Sequence, residues 1–458
     1  MTYYVHKQTA LKKFFIFLSL KCFFLYGIEC MNAESDSNTW SIKVGNYHLF
    51  NIPTFGFPFS NDPVTPTTSE YNFLEAKSRE FDLDPDVIED ALLSTPDLVK
   101  KYGYPSEVHY VQTEDGYILQ LHRIARSNCK PVLLMHGLLD SSATWIQMGP
   151  EKGLGYLLHD EGYDVWMANA RGNTYSRNHT KYNTKQAIFW EFSFHEMGLY
   201  DVPAVIDYIL QQTKQQQLHY IGHSQGTTIF WIMCSERPEY SEKVLLMQAL
   251  APVAYLEHAR SPVVSFLAFF EEPLGILLKL IGAHEFLPSN EFLKMFNQIV
   301  CDDDSITEAI CSNVMFLVAG FDKNQMNETM LPVALGHAPA GASTKQMQHF
   351  GQLKKSGYFR QYDYGWIRNH WRYKSSAPPN YQIENTKCRV ALHYALNDWL
   401  ATAQDVERLH QRLPNALGKF KVNYPKFNHL DFVWGINARD LLYNKLIKIM
   451  KLVEKNYF

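Results

Sequence analysis

The sequence predicts an α/β fold in which helices cover both faces of a mostly parallel sheet. Two observations support this prediction. First, short apolar runs alternate with helical segments between residues 132 and 250, a pattern typical of buried parallel strands joined by crossover helices. Second, the alternation stops over residues 254–387 and resumes in residues 388–458. We therefore expect an α/β core in two parts, residues 81–253 and 388–458, around a mainly helical insertion.

Each element of the core has its own signal. Asp84–Lys100 carries apolar residues at helical spacing, and Asp115-Gly116 separates two alternating runs over residues 107–124, which predicts a β-hairpin. The other strands are predicted at the apolar runs Val132–Met135, Asp164–Ala168, Leu218–Ile221, Val244–Leu250, Val390–Leu396 and Lys421–Tyr424. The helices between them are predicted at Gly153–Asp160, Glu196–Gln212 and Gly226–Ser235.

The first thirty residues differ in character from the rest of the chain. Lys12 and Lys13 precede a short apolar run, which predicts a secretory signal peptide over residues 1–30 and a secreted or lysosomal protein. The run is short for a membrane span and Lys21 interrupts it; an uncleaved signal anchor is the alternative. Residues 31–80 are rich in Ser, Asn, Thr and Pro and predict an irregular leader.

Composition argues against several classes of function. The formal net charge is only −4 and no basic block stands out, so we expect no nucleic-acid partner. No later segment is long and apolar enough to predict stable insertion into a membrane. Neither a Cys-x-x-Cys pair nor a Cys/His cluster indicates a metal site, and we expect no cofactor.

Five cysteines lie beyond the predicted signal peptide: Cys129, Cys234, Cys301, Cys311 and Cys388. An odd number in a secreted chain means that at least one thiol stays free or pairs elsewhere. Cys301 and Cys311 lie close together in a polar stretch and are the favoured bridge, and the pairing of the other three is open. Asn178 and Asn327 each begin a glycosylation sequon.

The sharpest motif is Gly222-His223-Ser224-Gln225-Gly226, which follows a predicted strand and precedes a predicted helix. This context predicts the nucleophile elbow of the α/β-hydrolase fold, a strained turn that lifts a serine hydroxyl off the sheet. Side chains at the glycine positions would clash with neighbouring backbone. The alternative, an ordinary turn between strand and helix, would not need this pattern. Ser224 is therefore the predicted nucleophile.

A serine hydroxyl needs a base to take its proton and an acid to orient that base. The fold places them in the chain order serine, acid, histidine. Asp398 and His429 each follow one of the last two predicted strands and are the predicted acid and base. A helix N-cap is the alternative role for Asp398, and a loop histidine without a role is the alternative for His429. Asp405 is a competing acid that we expect to be a solvated charge inside the next helix, and Asp431 follows the histidine instead of preceding it.

Acyl transfer also requires two N–H donors that converge on the developing oxyanion. The residue after the nucleophile, Gln225, supplies one in this fold, and a loop after an earlier strand supplies the other. His136-Gly137-Leu138-Leu139 follows such a strand. We therefore predict the N–H groups of Leu138 and Gln225 as the oxyanion hole, with Gly137 allowing the backbone to approach the substrate.

These residues resemble one family, the acid lipases, which comprises gastric and lysosomal lipases and their insect relatives. The resemblance runs from about Asp84 to the C-terminus. It is carried, in order, by Tyr102–Pro105, Thr113–Leu119, His136–Leu139, Gly162–Trp166, Ala170–Thr174, Phe192–Met197, Leu218–Thr228, Ala249–Val253 and Phe427–Phe432.

The resemblance implies the same triad, Ser224, Asp398 and His429, and the same oxyanion donors, Leu138 and Gln225. It further implies that residues 254–387 form a cap with a mobile lid near residues 288–319, and that Cys301 and Cys311 are the family's disulfide pair.

Two departures from the family stand out. Ala319 replaces a common third cysteine, and Leu400-Ala401-Thr402 stands where the family usually has Leu-Ala-Asp. The second change could alter the support of Asp398.

The leading prediction is therefore a lipase that hydrolyses carboxylic esters of lipids, triacylglycerols or steryl esters, at a lipid–water interface by a serine acyl-enzyme mechanism. Two alternatives remain. One is a general carboxylesterase for small soluble esters. The other is a catalytically silent lipid-binding protein on the same fold, which we would expect to have lost a triad residue.

Overall fold

The computed structural model describes residues 31–35, 39–44, 47–53, 84–269, 284–286, 318–327 and 329–457. The chain divides into two compact units, Met1–Asp62 and Pro63–Phe458. The predicted signal peptide, the cysteines 301 and 311, and nearly all of the predicted lid lie outside the described residues.

The first unit contains a small antiparallel sheet in the order β1-β2-β3. Its strands are β1 (Met31–Ser35), β2 (Thr39–Val44) and β3 (Tyr47–Pro53). This differs from the irregular chain expected for residues 31–80. The reason is visible in β2, where Trp40, Ile42 and Val44 alternate with polar residues in the period of a strand.

The second unit is built on a nine-stranded sheet in the order β14-β13-β10-β9-β6-β7-β5-β4, with β8 paired to β5. The strands of this unit are β4 (Ser106–Gln112), β5 (Tyr117–Ile124), β6 (Pro131–Met135), β7 (Asp164–Ala168), β8 (Asn178–His179), β9 (Leu218–His223), β10 (Val244–Leu250), β11 (Glu285–Phe286), β12 (Ala342–Ser343), β13 (Arg389–Tyr394) and β14 (Ala416–Lys421). The run from β14 to β7 is parallel, and β5, β4 and β8 add antiparallel pairs. The predicted mostly parallel sheet is confirmed.

Helices connect and cover these strands. They are α1 (Pro85–Leu92), α2 (Thr95–Lys101), α3 (Leu154–Asp160), α4 (Phe194–Glu196), α5 (Val202–Thr213), α6 (Gln225–Glu236), α7 (Pro262–Phe269), α8 (Leu331–His337), α9 (Thr344–Ser356), α10 (Trp366–Tyr373), α11 (Ala403–Arg412), α12 (Asp431–Trp434) and α13 (Asn444–Glu454). Every residue of β6, β7 and β9 is buried. Successive residues of a strand face opposite sides of the sheet, so both faces are covered here, which explains the unbroken apolar runs in the sequence.

Two predicted elements differ from the structure. The helix predicted over Asp84–Lys100 is two helices, α1 and α2, because Ser94 starts a new helix whose first turn contains Pro96. The strand predicted at Lys421–Tyr424 was wrong, since β14 ends at Lys421. This strand lies at the edge of the sheet and pairs only with β13. Its residues are at most half-buried, and such a strand has no reason to form an apolar run.

Candidate active site

The residues predicted to carry chemistry follow four strands of the parallel part of the sheet. His136 and Gly137 come directly after β6, and Ser224 comes directly after β9. Asp398 follows β13, and His429 follows β14. Because the carboxyl ends of parallel strands lie along one edge of a sheet, the fold brings these four segments together.

Ser224 has the backbone of a strained elbow. Its φ of 51° and ψ of −116° lie where non-glycine residues are rarely found, and strain of this kind is concentrated at active sites. Its N–H donates to the carbonyl of Leu250 in β10 at 3.0 Å. A Cβ on Gly226 would lie 2.2 Å from the carbonyl oxygen of Met135, and one on Gly222 would lie 2.8 Å from that of Gly226. The turn therefore requires both glycines, as predicted.

His429 is held by Asp398. Its Nδ1 lies 2.8 Å from Oδ2 and 3.0 Å from Oδ1 of that carboxylate, and both residues are buried. An imidazole whose Nδ1–H faces a carboxylate has Nε2 as its basic nitrogen. The carbonyl of His429 also accepts a hydrogen bond from Nε2 of His223 at 2.9 Å. This contact places the loop that contains His429, the histidine loop, beside the elbow at Ser224.

The loop that contains Asp398, the acid loop, is held in shape by the carboxylate of Asp398. Oδ1 of Asp398 accepts the N–H groups of Leu400 and Ala401, both at 2.8 Å. The next helix, α11, begins at Ala403 with Thr402 as its N-cap, so the alternative that Asp398 is the N-cap was wrong. Thr402 caps this helix at the position where the family usually has aspartate, and the departure leaves the carboxylate of Asp398 in place.

Asp405 is not the solvated surface charge that the sequence indicated. It is buried, its Oδ1 lies 2.9 Å from Nδ1 of His258, and its Oδ2 accepts the N–H of His258 at 2.9 Å. The prediction failed because the first turn of α11 faces the segment after β10. Asp405 therefore joins two loops. Among the described residues, none of its hydrogen bonds involves His429.

The loop after β6 approaches the nucleophile closely. A Cβ on Gly137 would lie 3.4 Å from Cβ of Ser224 and 3.2 Å from Nδ1 of His223. His136 fixes this loop, since its Nδ1 lies 2.7 Å from the carbonyl of Gly137 and its Nε2 accepts the N–H of Ala170 at 3.0 Å. Burial lowers the pKa of His136 to about 4, so its ring is neutral near pH 7 and Nε2 can accept.

The two predicted oxyanion donors are the backbone N–H groups of Leu138 and Gln225. Within the described part of the chain, the N–H groups of Leu138 and Gln225 donate to no protein acceptor. Gln225 is the first residue of α6, and the first N–H groups of a helix have no partner inside it and lie at its positive end. Burial lowers the pKa of His223 to about 3, so this neighbour adds no charge to the site near neutral pH.

Three supporting contacts were missed by sequence reasoning. Arg260 donates from its guanidinium to the carbonyls of Leu396 at 2.8 Å and Asp398 at 3.2 Å. The carbonyl of Ala319 accepts the N–H groups of Trp399 at 3.2 Å and His429 at 3.3 Å, which ties the acid loop to the histidine loop. Oε1 of Gln225 accepts a hydrogen bond from Gln346 of α9. No local pattern predicted these contacts, because each joins two residues that are distant in the chain.

A buried ion cluster supports the loops around the site. The guanidinium of Arg171, with no exposed side-chain surface, contacts Asp115 at 2.6 Å and Asp201 at 2.5 Å, and it lies 4.0 Å from the ring of Tyr117. Burial alone would lower its pKa, but the two carboxylates reverse that effect and raise it above the ordinary value. The cluster fixes the Asp115-Gly116 hairpin turn against the loop after β7.

Other predicted features have these environments. Among the described residues, Cys129, Cys234 and Cys388 are free thiols. Asn178 is exposed and Asn327 is half-buried, with its side chain accepting the N–H of Met330 at 3.4 Å; glycosylation at both stays a prediction. In the described parts of the chain, no helix has the length and apolar character to cross a membrane.

Comparison with known proteins agrees with this architecture. Residues 130–436 match the family model described as the alpha/beta hydrolase fold. The class defined by the fold is therefore that of the α/β-hydrolases. A second model, a partial alpha/beta-hydrolase lipase region, matches residues 95–149.

The relatives narrow this class. The chain is 43% identical to Lipase 1 of Drosophila melanogaster over 364 residues, 79% of this chain and 80% of that protein. It is 39% identical to human lysosomal acid lipase/cholesteryl ester hydrolase over 368 residues, covering 78% and 91% of the two chains. It is also 39% identical to human gastric triacylglycerol lipase over 362 residues, covering 77% and 89%. The protein belongs to the acid lipase family of α/β-hydrolases, as the sequence resemblance predicted.

Proposed function

We propose that this protein is a lipase that hydrolyses carboxylic esters of lipids, with triacylglycerols and steryl esters as the substrate class. The observation that carries the proposal is the buried Asp398–His429 pair next to the strained elbow at Ser224. Relatives that are named as lipases at about two-fifths identity over most of the chain support the same activity.

The proposed reaction has two acyl-transfer steps. Nε2 of His429 takes the proton of Ser224 as Oγ attacks the ester carbonyl, and the new oxyanion accepts N–H groups from Leu138 and Gln225. The intermediate then collapses to an acyl-enzyme, and the leaving alcohol receives the proton from His429. Water next gives a proton to His429 and attacks the acyl carbon. Collapse of the second intermediate releases the fatty acid and returns the proton to Ser224. Asp398 keeps the imidazole oriented and stabilises its charged form.

We assign residues 254–387 to a cap over this site, with the lid near residues 288–319. Two contacts favour this assignment. Gln346, within the insertion, contacts Gln225 directly after the nucleophile. Ala319, at the end of the assigned lid, is bound to both the acid loop and the histidine loop. We also retain the Cys301–Cys311 bridge and entry into the secretory pathway through residues 1–30 as parts of this proposal.

Two other functions are less well supported. A silent lipid-binding protein would have no use for a buried carboxylate–imidazole pair. Such a pair is costly to keep, because burying a charge is unfavourable unless a partner offsets it. A general esterase for small soluble esters would use the same triad, so only its substrate range distinguishes it from a lipase.

The test is hydrolysis of p-nitrophenyl butyrate and p-nitrophenyl palmitate, with and without dispersed lipid, by the wild type and Ser224→Ala. Ser106→Ala, on the edge strand β4, is the matched control. We expect the wild type and the control to be active and Ser224→Ala to be inactive. Higher activity on the dispersed long-chain ester supports a lipase, whereas equal activity on the dissolved short ester indicates a general esterase. A folded wild type that cleaves neither ester would refute the proposal and favour lipid binding.

A further inference from the structure

Helix α10 presents large apolar side chains to solvent. Trp366 is 73% exposed, Trp371 is 77% exposed and Ile367 is 52% exposed. Exposed apolar residues that occur singly are common, but a contiguous group on one element marks an interaction site.

The helix is held firmly, so this exposure does not come from a frayed segment. Asn369 is buried on the inner side and donates from Nδ2 to Oδ1 of Asp363 at 2.7 Å and to the carbonyl of Ser376 at 3.0 Å. Tyr373 lies on the same inner side and donates to the carbonyl of Tyr362 at 2.9 Å. These anchors fix which side of the helix faces outward.

Helical geometry places the exposed residues together. With 3.6 residues per turn, Trp366, Ile367 and Trp371 lie within less than half of the helix circumference. Ile367 and Trp371 lie opposite Asn369, and Trp366, the first residue of the helix, lies at the edge of this exposed side. His370 and Lys374 lie between them on the same side. The result is an exposed surface in which apolar and basic side chains lie next to one another.

The charged side chains within this helix and the segment after it are all of one sign. Residues 364–383 contain Arg368, Arg372 and Lys374 and no aspartate or glutamate, although the whole chain has a net charge of −4. The nearest acid in sequence, Asp363, already pairs with Arg360 at 3.2 Å. Positive charge beside exposed tryptophan is complementary to a lipid surface, in which anionic headgroups cover an apolar layer of acyl chains.

We propose that the tryptophan patch (Trp366, Ile367, Arg368, Trp371 and Lys374) docks the protein on anionic lipid surfaces. Tryptophan prefers the boundary between headgroups and acyl chains, and arginine and lysine are attracted to anionic headgroups. A helix with aromatic residues and cations on its outer side lies in the plane of such an interface. Tryptophan and arginine are also enriched in protein interfaces, whereas lysine is depleted there, so a protein partner is the outcome that the test below distinguishes from a lipid surface. The inference deepens the proposed function by giving the enzyme a place of attachment to its lipid phase.

The test is co-sedimentation of the full-length protein with phosphatidylcholine vesicles, with and without phosphatidylglycerol. We expect binding that requires phosphatidylglycerol and weakens with salt. Trp366→Ala/Trp371→Ala should bind on the order of tenfold more weakly, since two large apolar side chains no longer enter the interface. Arg368→Gln/Lys374→Gln should bind about twenty-five-fold more weakly, because each cation near an anionic surface contributes roughly fivefold.

Tyr110→Ala is the matched control, since Tyr110 is 59% exposed on the edge strand β4; its binding should equal that of the wild type. Unchanged thermal unfolding checks that the variants are folded. Equal vesicle binding by the tryptophan variant and the wild type would overturn the proposal. So would a dimer, seen by gel filtration, that the tryptophan variant abolishes while vesicle binding is unaffected.

Hydrolysis of dissolved p-nitrophenyl butyrate separates this inference from the proposed function. The patch variants should cleave this ester at the wild-type rate while losing activity on dispersed lipid. If the wild type binds vesicles through the patch but cleaves no ester, the proposed function fails and the docking surface stands. If it cleaves the dissolved ester and does not bind vesicles, the docking surface alone is refuted.

Discussion

Nε2 of Gln346 donates a hydrogen bond to Oε1 of Gln225 at 3.1 Å. Gln225 directly follows the predicted nucleophile, and its N–H is a predicted oxyanion donor. Gln346 lies in the first turn of α9, where its Oε1 accepts the N–H of Ser343 at 2.8 Å and completes a capping box. One buried side chain of the insertion therefore supports both a helix start and the residue beside Ser224.

Replacing Gln346 by glutamate should separate these two roles. The carboxylate can still accept the N–H of Ser343. It has no N–H to donate to Gln225, and it places a carboxylate oxygen against Oε1 of Gln225. We expect kcat on p-nitrophenyl butyrate to fall by about fivefold to tenfold, the worth of one buried hydrogen bond. Gln348→Glu, in the same helix, should keep wild-type kcat. Equal kcat values for the two variants would contradict a positioning role for Gln346.

The Gln346–Gln225 contact illustrates what the sequence could not predict. The elbow, the acid and the histidine were predictable because each follows a strand, and strand ends converge in any parallel sheet. Gln346 is 121 positions from Gln225, and no local pattern pairs them. The same holds for Arg260 and Ala319, which act on loops that the fold brings near. The strand β14 was misplaced for a different reason, since an edge strand lacks the apolar run on which the prediction relied.

Asp398→Asn should nearly abolish turnover. An asparagine can keep the N–H groups of Leu400 and Ala401 bound through its carbonyl oxygen, but its amide cannot hold Nδ1–H of the imidazole as a carboxylate does. We expect kcat to fall by a factor on the order of 10⁴, as expected when the imidazole adopts the wrong tautomer. Steady-state hydrolysis of p-nitrophenyl butyrate measures this change.

The control for this variant is Asp405→Asn. Asp405 is also buried, but it bonds to His258 and not to His429. Its substitution should cost stability with little loss of kcat, because a buried polar contact is weakened at a distance from the reacting atoms. A larger loss of kcat in Asp405→Asn than in Asp398→Asn would reverse the assignment of the acid.

Two glycines should respond differently to alanine. In Gly226→Ala the new Cβ would lie 2.2 Å from the backbone oxygen of Met135, so the elbow must move and we expect a loss of stability of several kcal/mol. In Gly137→Ala the nearest atoms are side-chain atoms of His223 and Ser224 at 3.2 and 3.4 Å. A shift of a few tenths of an ångström there should lower kcat while leaving most of the stability.

Denaturant unfolding and kcat, measured on both variants, check this difference. A Gly137→Ala protein with wild-type kcat would mean that the loop after β6 does not limit the space around the side chain of Ser224. A Gly226→Ala protein as stable as the wild type would mean that the elbow tolerates a side chain at this glycine.

Stability should fall as pH rises through neutrality because of a pair of buried carboxyl groups. Asp431 lies two residues after His429, and its buried carboxyl group interacts electrostatically with that of Asp322. Burial raises the pKa of Asp431 to about 8, and the charges of Asp322 and Asp398 act in the same direction. The folded protein thus keeps a proton that the unfolded chain releases near pH 4.

The sign of the effect follows from linkage. Between about pH 4 and pH 8 the folded state binds one proton more than the unfolded state. The free energy of unfolding therefore falls by up to about 1.4 kcal/mol for each unit by which the pH rises. This contribution is complete below pH 4 and is lost as pH rises to 8. Asp431→Asn keeps an oxygen for the N–H of Asn428, which donates to Oδ2 of Asp431 at 2.6 Å, and removes the titration. The difference in unfolding free energy between pH 5 and pH 8 should therefore be smaller in this variant.

Asp440→Asn, at an exposed position, is the control and should follow the wild-type curve. The buried histidines contribute with the opposite sign: the lowered pKa values of His136 and His223 give stability that is complete above about pH 6.5 and is lost as pH falls. They are present in all three proteins, so they cancel in the comparison. Parallel curves for the wild type and Asp431→Asn would mean that this carboxyl group is already ionised at neutral pH.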